Sequence, residues 1–205
     1  LAISANIPTV DLAMKTGLDH VIAAAKGFGF TTTLTPFPSL ALGSSEVIPI
    51  ELARSYSALA ADGHIPWPMS LRDVADESGE VLERRYLQVE RATTREKAFL
   101  VSSMLRTAVE EGTGRSLRSL GIDFPVAGKT GTTSDFRYAW FVGYTPEFIA
   151  LVWVGFDDGS SIDAGGAGAA LPIWASLASN SPRYTSGAWF PVPPGIVEKV
   201  ICSDS

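Results

Sequence analysis

Two short runs of aromatic and β-branched residues constrain the fold of this chain more than any other feature. They read AWFVGY and FIALVWVGF, and only the three residues TPE separate them. Residues of these types favour strands, and a short connection joins antiparallel neighbours. With the preceding PVAGKTGTT segment, the two runs predict three neighbouring antiparallel strands.

Most of the earlier segments have the periodicity of amphipathic helices rather than of strands. A hairpin is expected over residues 69–89 with its turn at DESGE, and residues 31–47 are expected to be mostly loop. Helices that precede a strand meander favour an α+β fold, an antiparallel sheet flanked by helices, over a doubly wound sheet. The expected helices run from about Pro8 to Gly17, Leu18 to Ala25, Pro49 to Gly63, and Thr93 or Thr94 to Gly112. The segment GGAGAALPIWASLAS is expected to be a glycine-rich loop that leads into a final helix.

The pattern also predicts which side chains are buried. In the helix that begins after Thr93 or Thr94, the expected buried stripe is Val101, Met104, Leu105 and Ala108. The tryptophans Trp140, Trp153 and Trp174 are expected in the core, because large aromatic side chains dominate core packing.

The composition excludes several classes of function. Of 205 residues, 46% are hydrophobic and 19% charged, which permits a substantial core. The net charge of −6 argues against a nucleic-acid partner, which would require clustered lysine and arginine. The one cysteine, Cys202, excludes an intrachain disulfide and a cysteine metal site, and His20 and His64 lie in unrelated segments. We therefore expect no metal, no cofactor and no Ser-His-Asp triad.

The segment VAGKTGTT raises a choice between two chemistries. A phosphate-binding loop requires a glycine five residues before Gly-Lys-Thr and a helix after it. The triplet here is Gly128-Lys129-Thr130, and the required glycine would fall at Asp123, whose carboxylate would repel phosphate. The segment that follows is strand-like. The nucleotide-binding interpretation therefore fails.

The alternative is a serine acyl-transfer enzyme that uses lysine and hydroxyl groups instead of histidine. Such enzymes combine Ser-x-x-Lys, Ser-x-Asn and Lys-Thr-Gly elements. Lys129-Thr130-Gly131 supplies the third element and Ser4-Ala5-Asn6 the second. None of the five lysines follows a serine at the spacing of the first element, so the nucleophile is not in this chain. The lysines are Lys15, Lys26, Lys97, Lys129 and Lys199.

Several collinear segments resemble the later part of the transpeptidase domain of class A (bifunctional) penicillin-binding proteins. They are SANIPTVDLA, LGSSEVIPIELARSYSALAADG, VEEGTGR, VAGKTGTTSDFRYAWFVGYTPEFIALVWVGFDD and GGAGAALPIWASL. The resemblance implies the penicillin-binding protein and serine β-lactamase-like fold, incomplete at its N-terminal side. It assigns residues 1–180 to the transpeptidase domain and residues 181–205 to a Pro-rich tail. Tyr138 departs from the family, which commonly has aspartate there, and receives no role.

The resemblance also implies a catalytic role for three residues. Ser4 would relay a proton between the nucleophile or the leaving amine and lysine. Asn6 would hydrogen-bond the substrate's peptide carbonyl and hold the lysine of the absent motif. Lys129 would place an ammonium beside Ser4. The alternative roles are a helix N-cap for Ser4, an Asx turn for Asn6 and an exposed strand lysine for Lys129.

The strand that carries Lys129 is expected to bind substrate. Strand alternation places Thr130 and Thr132 on one face, where their hydroxyls would grip a terminal carboxylate. The stem of Lys129 would then have to fold back around the strand edge. Gly131 would let the substrate backbone lie along that edge, and the Thr132 N–H is a candidate oxyanion-hole donor. Thr133 is expected mainly to support the strand end.

The implied function is a peptidoglycan D,D-transpeptidase that cross-links D-Ala-D-Ala stem peptides through a serine acyl-enzyme and reacts with β-lactams. A D,D-carboxypeptidase or serine β-lactamase shares the three elements, and the missing serine motif supports an inactive binding or scaffold module. The expected partners are stem peptides, β-lactams and a fragment of the same protein that carries Ser-x-x-Lys. The implied location is outside the cytoplasmic membrane, anchored through a segment absent here. The apolar start, LAISANIPTV, suggests a piece of a longer protein.

Overall fold

The computed structural model describes residues 1–199 and has an α+β fold. Cys202 lies outside the described residues. Five α-helices are α1 (Asn6–Thr16), α2 (Leu18–Gly27), α3 (Pro49–Ala60), α4 (Arg95–Glu110) and α5 (Ala170–Ser179). Seven strands are β1 (His64–Pro66), β2 (Asp73–Ala75), β3 (Val81–Arg84), β4 (Val89–Arg91), β5 (Ala127–Thr132), β6 (Tyr138–Tyr144) and β7 (Ile149–Gly155). Single 3-10 turns or short 3-10 helices lie at Pro38–Leu42, Arg115–Leu120, Ser134–Phe136 and Pro182–Tyr184.

The three predicted strands form one antiparallel sheet in the order β5-β6-β7. Lys129 on β5 lies opposite Val142, and Trp140 on β6 lies opposite Trp153. Residues 127, 129 and 131 therefore share one face of β5, and residues 128, 130 and 132 share the other. This confirms the predicted meander and gives β5 one edge that is not paired with β6.

Helix α5 covers the face of the sheet that carries Phe141. The Trp174 ring meets the Phe141 ring edge-on with centroids 5.5 Å apart. The indole N–H of Trp174 donates to the carbonyls of Gly143 and Ala150 at 3.2 and 3.1 Å, so this fully buried side chain has its polar atom satisfied. The expectation of a core position is confirmed for Trp174.

Helices α3 and α4 cover only one end of the opposite face. Leu105 of α4 packs there with Ala127 and Tyr144. The buried Ser102 hydroxyl lies 2.8 Å from the Tyr144 hydroxyl. The rest of this face, where Lys129 lies, is not covered by α3 and α4 and borders a cavity.

The buried stripe of α4 differs from the predicted one. Met104 is 49% exposed, whereas Ser102 is fully buried. The Ser102 hydroxyl can lie in the interface between α4 and the sheet because it forms a hydrogen bond with the Tyr144 hydroxyl. Hydrophobic periodicity alone does not reveal such a polar pair. Thr94 caps the helix, its side chain accepting a hydrogen bond from the Lys97 N–H at 3.4 Å.

The hairpin predicted over residues 69–89 forms between β2 and β3, which pair antiparallel. Its turn is closed by the Asp76 carboxylate, which accepts from the backbone N–H groups of Ser78 and Glu80. The short ribbon of β1 and β4 was not predicted. Three-residue strands are too short to show an alternating pattern.

The described part of the Pro-rich segment after residue 180 contributes to the core. Phe190 is 7% exposed and its ring centroid lies 6.1 Å from that of Tyr144. The Arg106 guanidinium lies over the neighbouring Trp189 ring at 4.9 Å. The boundary at residue 180 stays a prediction. Apart from the 3-10 turn Pro182–Tyr184, residues 181–199 are irregular in conformation, and Trp189 and Phe190 pack on α4 and the sheet.

Candidate active site

Ser4 lies in a tight turn directly before α1. Its backbone φ is +52°, in the left-handed region that residues other than glycine seldom adopt. The Ser4 N–H donates to the Leu1 carbonyl at 3.2 Å, which closes the turn. The N-cap of α1 is Ala5, so Ser4 is not the helix cap. Its exposed side chain is available for another contact.

That contact is with Lys129 in the middle of β5. The Lys129 ammonium donates a hydrogen bond to the Ser4 hydroxyl and a second one, of 2.8 Å, to the carbonyl of Thr130. The lysine stem therefore bends back toward its own strand. Burial lowers the pKa of Lys129, because desolvation disfavours the charged amine. A lysine that deprotonates more easily is suited to exchange a proton with a neighbouring hydroxyl.

The two threonines that share the other face of β5 both have hydrogen-bond partners. The Thr130 hydroxyl lies 2.7 Å from the Thr113 hydroxyl. The Thr132 hydroxyl accepts from the Gly166 N–H at 3.0 Å. Because the Thr132 oxygen acts as an acceptor here, its own proton remains available to a substrate carboxylate.

The packing of β5 against β6 explains why glycine occupies position 131 and threonine occupies position 133. A Cβ added to Gly131 would lie 3.1 Å from the Cβ of Trp140, so the glycine lets β5 and β6 approach closely there. The Thr133 hydroxyl accepts from the Tyr138 N–H at 2.9 Å, and the Thr133 N–H donates to the Tyr138 carbonyl at 3.2 Å. Thr133 thus joins the ends of β5 and β6, in line with the supporting role expected from the sequence.

Asn6 is the exposed first residue of α1, two positions beyond Ser4. The structure therefore brings Ser4 and Lys129 into contact and gathers residues 129–133 along one strand. The catalytic roles of Ser4, Asn6 and Lys129 and the substrate-binding roles of Thr130, Gly131, Thr132 and Thr133 stay predictions.

A cavity of about 840 Å³ borders residues 129–133. Most of its wall is apolar and comes from α2, the loop after it, α3 and the uncovered face of the sheet. Those apolar lining residues include Val21, Ala25, Phe30, Leu34, Leu40, Leu42, Val47, Leu52, Tyr56, Val142 and Trp153. The volume is within the range of ligand-binding clefts, and the lysine amine and strand hydroxyls supply the few polar groups.

An aromatic group forms part of the same wall. The Tyr138 and Trp153 ring centroids lie 5.6 Å apart, and those of Trp140 and Trp153 lie 6.1 Å apart. Trp153 is 40% exposed, so the expectation that it lies in the core is wrong. Its side chain faces the cavity because α3 and α4 do not reach this part of the sheet. Tyr138 takes the place of the expected aspartate and packs on Gly155, where an added Cβ would come within 2.4 Å of its ring.

Glu51 anchors the loop that follows α2. Its carboxylate lies in the first turn of α3 and is only 8% exposed. It accepts from the Thr31 N–H at 3.2 Å, from the Thr31 hydroxyl, and from the Thr32 hydroxyl at 2.8 Å. These hydrogen bonds, led by the one from the Thr31 hydroxyl, lower the pKa of Glu51. The carboxylate is engaged in structure rather than in the cavity.

The sequence analysis missed two residues that contact the candidate site. Thr113 entered only as part of the segment VEEGTGR, and Gly166 only as part of a glycine-rich loop. The glycines around both positions were the available signal, because they mark places where backbone segments approach closely. Their partners, Thr130 and Thr132, are distant in sequence and could not be inferred.

Neither a membrane-crossing helix nor a metal cluster occurs in the described part of the chain. No helix within residues 1–199 has the length and apolar character needed to cross a membrane. Among those same residues, no three His, Cys, Asp or Glu side chains are grouped so that they could hold a metal ion.

The fold and this strand-centred site define a known class of protein. The sequence matches the penicillin binding protein transpeptidase domain over residues 1–175. The chain therefore belongs to the penicillin-binding protein transpeptidase family.

Class A members of that family are among the relatives of this chain. The chain is 39% identical over 196 residues to penicillin-binding protein 1A of Aquifex aeolicus, which covers 95% of this chain and 27% of that protein. It thus spans about a quarter of that relative's length. The predicted resemblance to class A penicillin-binding proteins is confirmed.

Solved structures share the fold. Penicillin-binding protein 1A from Haemophilus influenzae superimposes with a TM-score of 0.91 at 25% identity, covering 98% of this chain and 36% of that one. PonA1 from Mycobacterium tuberculosis, solved in complex with penicillin V, superimposes with a TM-score of 0.76 at 24% identity, covering 91% and 59%. These neighbours confirm the predicted fold class.

Proposed function

We propose that this chain forms part of a serine-type D,D-transpeptidase whose nucleophilic serine comes from a Ser-x-x-Lys segment outside it. The observation that carries the proposal is the hydrogen bond from the Lys129 ammonium to the Ser4 hydroxyl at the border of a large cavity. Family membership makes acyl transfer the relevant chemistry. The pair supplies the proton-transfer groups that the reaction needs in the absence of a catalytic histidine.

In the first half of the reaction, the serine oxygen attacks the carbonyl carbon between the two D-alanines of a stem peptide. A C–O bond forms, the C–N bond breaks, and the terminal D-alanine leaves with an amine. The proton released by the serine has to reach that amine. Ser4 and Lys129 provide a route for it, because the hydroxyl can accept one proton while it gives up another.

In the second half, an amine of a neighbouring stem peptide attacks the ester carbonyl. A new C–N bond forms, the C–O bond to serine breaks, and the amine's proton returns to the serine oxygen. The same Ser4–Lys129 route operates in reverse. A D,D-carboxypeptidase or serine β-lactamase would use water in this step.

The β5 strand would position the substrate. The protons of the Thr130 and Thr132 hydroxyls would bind the terminal carboxylate, and the unpaired edge of β5 would accept the peptide as an added strand. The Thr132 N–H would stabilise the oxyanion, and removal of such a donor typically costs roughly 100- to 1,000-fold in rate. Lys129 adds positive potential where the carboxylate binds.

The apolar cavity wall supports the proposal that a further segment completes the site. Open apolar surface of this extent is unfavourable in water and marks an interface or a ligand site. A segment that carries Ser-x-x-Lys and fills the cavity would place its serine beside Ser4. It would also be the partner expected from the sequence, since no lysine of this chain has serine three residues earlier.

β-Lactam binding and location outside the cytoplasmic membrane are part of the same proposal. The PonA1 structure holds penicillin V. A β-lactam presents a strained amide and a carboxylate, so it would acylate the same serine while its carboxylate meets Thr130 and Thr132. Peptidoglycan stem peptides, the proposed substrates, would be met in the cell envelope.

Labelling with a fluorescent penicillin tests the proposal. The protein that contains this chain would be incubated with the reagent, denatured and separated by electrophoresis, and the labelled peptide would be identified by mass spectrometry. We expect the label on a serine in Ser-x-x-Lys, outside residues 1–205. A protein that stays unlabelled would favour an inactive binding or scaffold module.

A second assay identifies the acyl acceptor. A D-Ala-D-Ala peptide would be supplied with and without an amine-bearing stem peptide, and the products would be separated by mass. Cross-linked product is expected to exceed hydrolysed product when the amine is present. Exclusive hydrolysis would instead identify a D,D-carboxypeptidase.

A further inference from the structure

A turn after α4, residues 111–114, lies between the two segments that carry Ser4 and Lys129. We infer that Thr113 in this turn is a positioning residue: it orients the Thr130 hydroxyl toward the substrate carboxylate and braces the Ser4 turn against β5. This inference rests on the proposed function, because it assigns a further residue to the same site.

The first observation is the contact with Thr130. The Thr113 and Thr130 hydroxyl oxygens lie 2.7 Å apart, so one of them donates to the other. A carboxylate accepts hydrogen bonds and cannot donate them. A bound carboxylate therefore favours the arrangement in which Thr113 donates to Thr130 and Thr130 donates to the carboxylate. Without Thr113, the Thr130 hydroxyl loses the donor that fixes its rotation.

The second observation is the contact with the Ser4 turn. The Thr113 N–H donates to the Ala2 carbonyl at 3.2 Å. Gly112 makes the approach possible, because a Cβ there would lie 2.1 Å from that carbonyl oxygen. Thr113 thus contacts both Ala2, two positions before Ser4, and Thr130, the residue directly after Lys129.

The third observation is that the Ser4 turn requires support. A residue other than glycine held in a sparsely populated region of φ is strained, and it persists there only where neighbouring structure holds it. Ser4 has φ +52° and is exposed, so few side chains surround it. The bond from the Thr113 N–H to Ala2 provides part of that restraint.

The test compares acylation of three forms of the complete protein by benzylpenicillin and by its methyl ester. The forms are the wild type, Thr113→Val, which has nearly the same shape but no hydroxyl, and Thr113→Ser, which keeps the hydroxyl. Thr113→Val is expected to lower the second-order rate constant for the acid about tenfold and that for the ester less than threefold, because hydrogen bonds to charged groups are the stronger ones. Thr113→Ser is expected to stay within about threefold of the wild type for both.

The acid-to-ester ratio separates positioning from a general structural effect. Equal losses for the acid and the ester, or an unchanged rate for the acid, would overturn the inference while leaving the proposed function intact. If the wild type itself were not acylated, both would be overturned. Thermal unfolding shows whether each variant folds. If Thr113→Val failed to fold while Thr113→Ser folded normally, the hydroxyl would be needed for stability, and this result would count against the inference.

Discussion

The Lys129 ammonium donates a hydrogen bond to the Ser4 hydroxyl, although 125 positions separate the two residues in the sequence. Ser4 approaches from the turn before α1, and Lys129 approaches from the middle of β5. The contact joins the Ser4 hydroxyl to a partly desolvated amine that borders the cavity.

Replacement of Ser4 by alanine tests the proton route. Ser4→Ala removes the hydroxyl and is expected to lower the acylation rate of the complete protein by roughly 100- to 10,000-fold, the range that general acid–base groups contribute. Stopped-flow measurement with a chromogenic β-lactam gives the rate. Ser119→Ala, at an exposed position in the 3-10 segment Arg115–Leu120, is the matched control and is expected to leave the rate unchanged. Equal rates for Ser4→Ala and the wild type would exclude Ser4 from proton transfer.

The lowered pKa of Lys129 predicts how stability changes with pH. Between its lowered pKa in the folded state and about 10.4 in the unfolded state, the unfolded chain binds more protons, so folding becomes more favourable as pH rises. Methionine does not titrate. The free energy of unfolding of the wild type minus that of Lys129→Met should therefore increase as pH rises through this window.

Denaturant unfolding at pH 7 and at pH 10 measures that difference. Lys26→Met, at an exposed position near the end of α2, is the control, and its difference from the wild type is expected to change less. A difference for Lys129→Met that falls as pH rises would contradict a lysine whose pKa is lowered by burial.

Gly166 allows a loop to approach β5 and β6 closely. A Cβ there would lie 2.5 Å from the Trp140 carbonyl oxygen and 2.7 Å from that of Gly131, and both atoms belong to backbone that cannot easily move. Gly166→Ala is expected to destabilise the fold by about 1–3 kcal/mol, as overpacking does. Gly168→Ala is a matched control in the same loop, because its added Cβ would make only ordinary contacts, the nearest at 3.7 Å. Equilibrium unfolding in urea measures the stability of both variants. If Gly166→Ala were as stable as Gly168→Ala, the close approach of the loop to β5 and β6 at Gly166 would be disproved.

Gly112 provides a separate test of how the Ser4 turn is held. An alanine there would force the Ala2 carbonyl away and displace Ser4 from Lys129. A misplacement of about 1 Å can cost on the order of 100-fold in rate, and we expect Gly112→Ala to slow acylation by a factor of this order. Gly27→Ala, whose added Cβ has no atom within 4 Å, is the control. Acylation at the wild-type rate in a folded Gly112→Ala protein would show that the turn adapts freely.

Glu51 makes the loop after α2 sensitive to acid. Its pKa is lowered in the folded state, so its contribution to stability is present above the unfolded value of about 4.3 and is lost as pH falls through the lower folded value. The wild type should be more stable than Glu51→Gln at pH 7, and the difference should shrink at pH 3. Chemical unfolding at the two pH values measures this, with Glu46→Gln at an exposed position as the control. If the stability difference between the wild type and Glu51→Gln grew on acidification, it would contradict a lowered pKa for Glu51.

Much of the fold could be predicted from local patterns. The strands β5 to β7, the helix between Thr94 and Gly112 and the turn at DESGE follow from periodicity, capping and turn chemistry that act within a few residues. The burial predictions are wrong at positions where tertiary packing, rather than local periodicity, decides which side chains are exposed. Met104 is exposed and Ser102 buried because Tyr144 offers a partner for a buried hydroxyl, and Trp153 faces a cavity because α3 and α4 cover only one end of the sheet.

For the candidate site, the family resemblance implied that Lys129 lies beside Ser4, and the structure shows this contact. Ser4 and Lys129 belong to two short motifs, and no lysine of this chain has a serine three residues earlier. Thr113 and Gly166 could not be found in this way. Their roles depend on contacts with Thr130 and Thr132, and each of these contacts joins segments that no local pattern relates.

By itself, the sequence determined the order of the five α-helices and of the strands β5 to β7, the alternation that separates Lys129 from Thr130 and Thr132, and the lack of a serine three residues before any lysine, because each depends on spacing along the chain. Only the tertiary structure decided that Lys129 reaches Ser4, that Thr113 lies between their segments, and that one face of the sheet stays open. These relationships depend on how the helices pack on the sheet, and packing brings together residues whose separation in sequence carries no information about their distance in space.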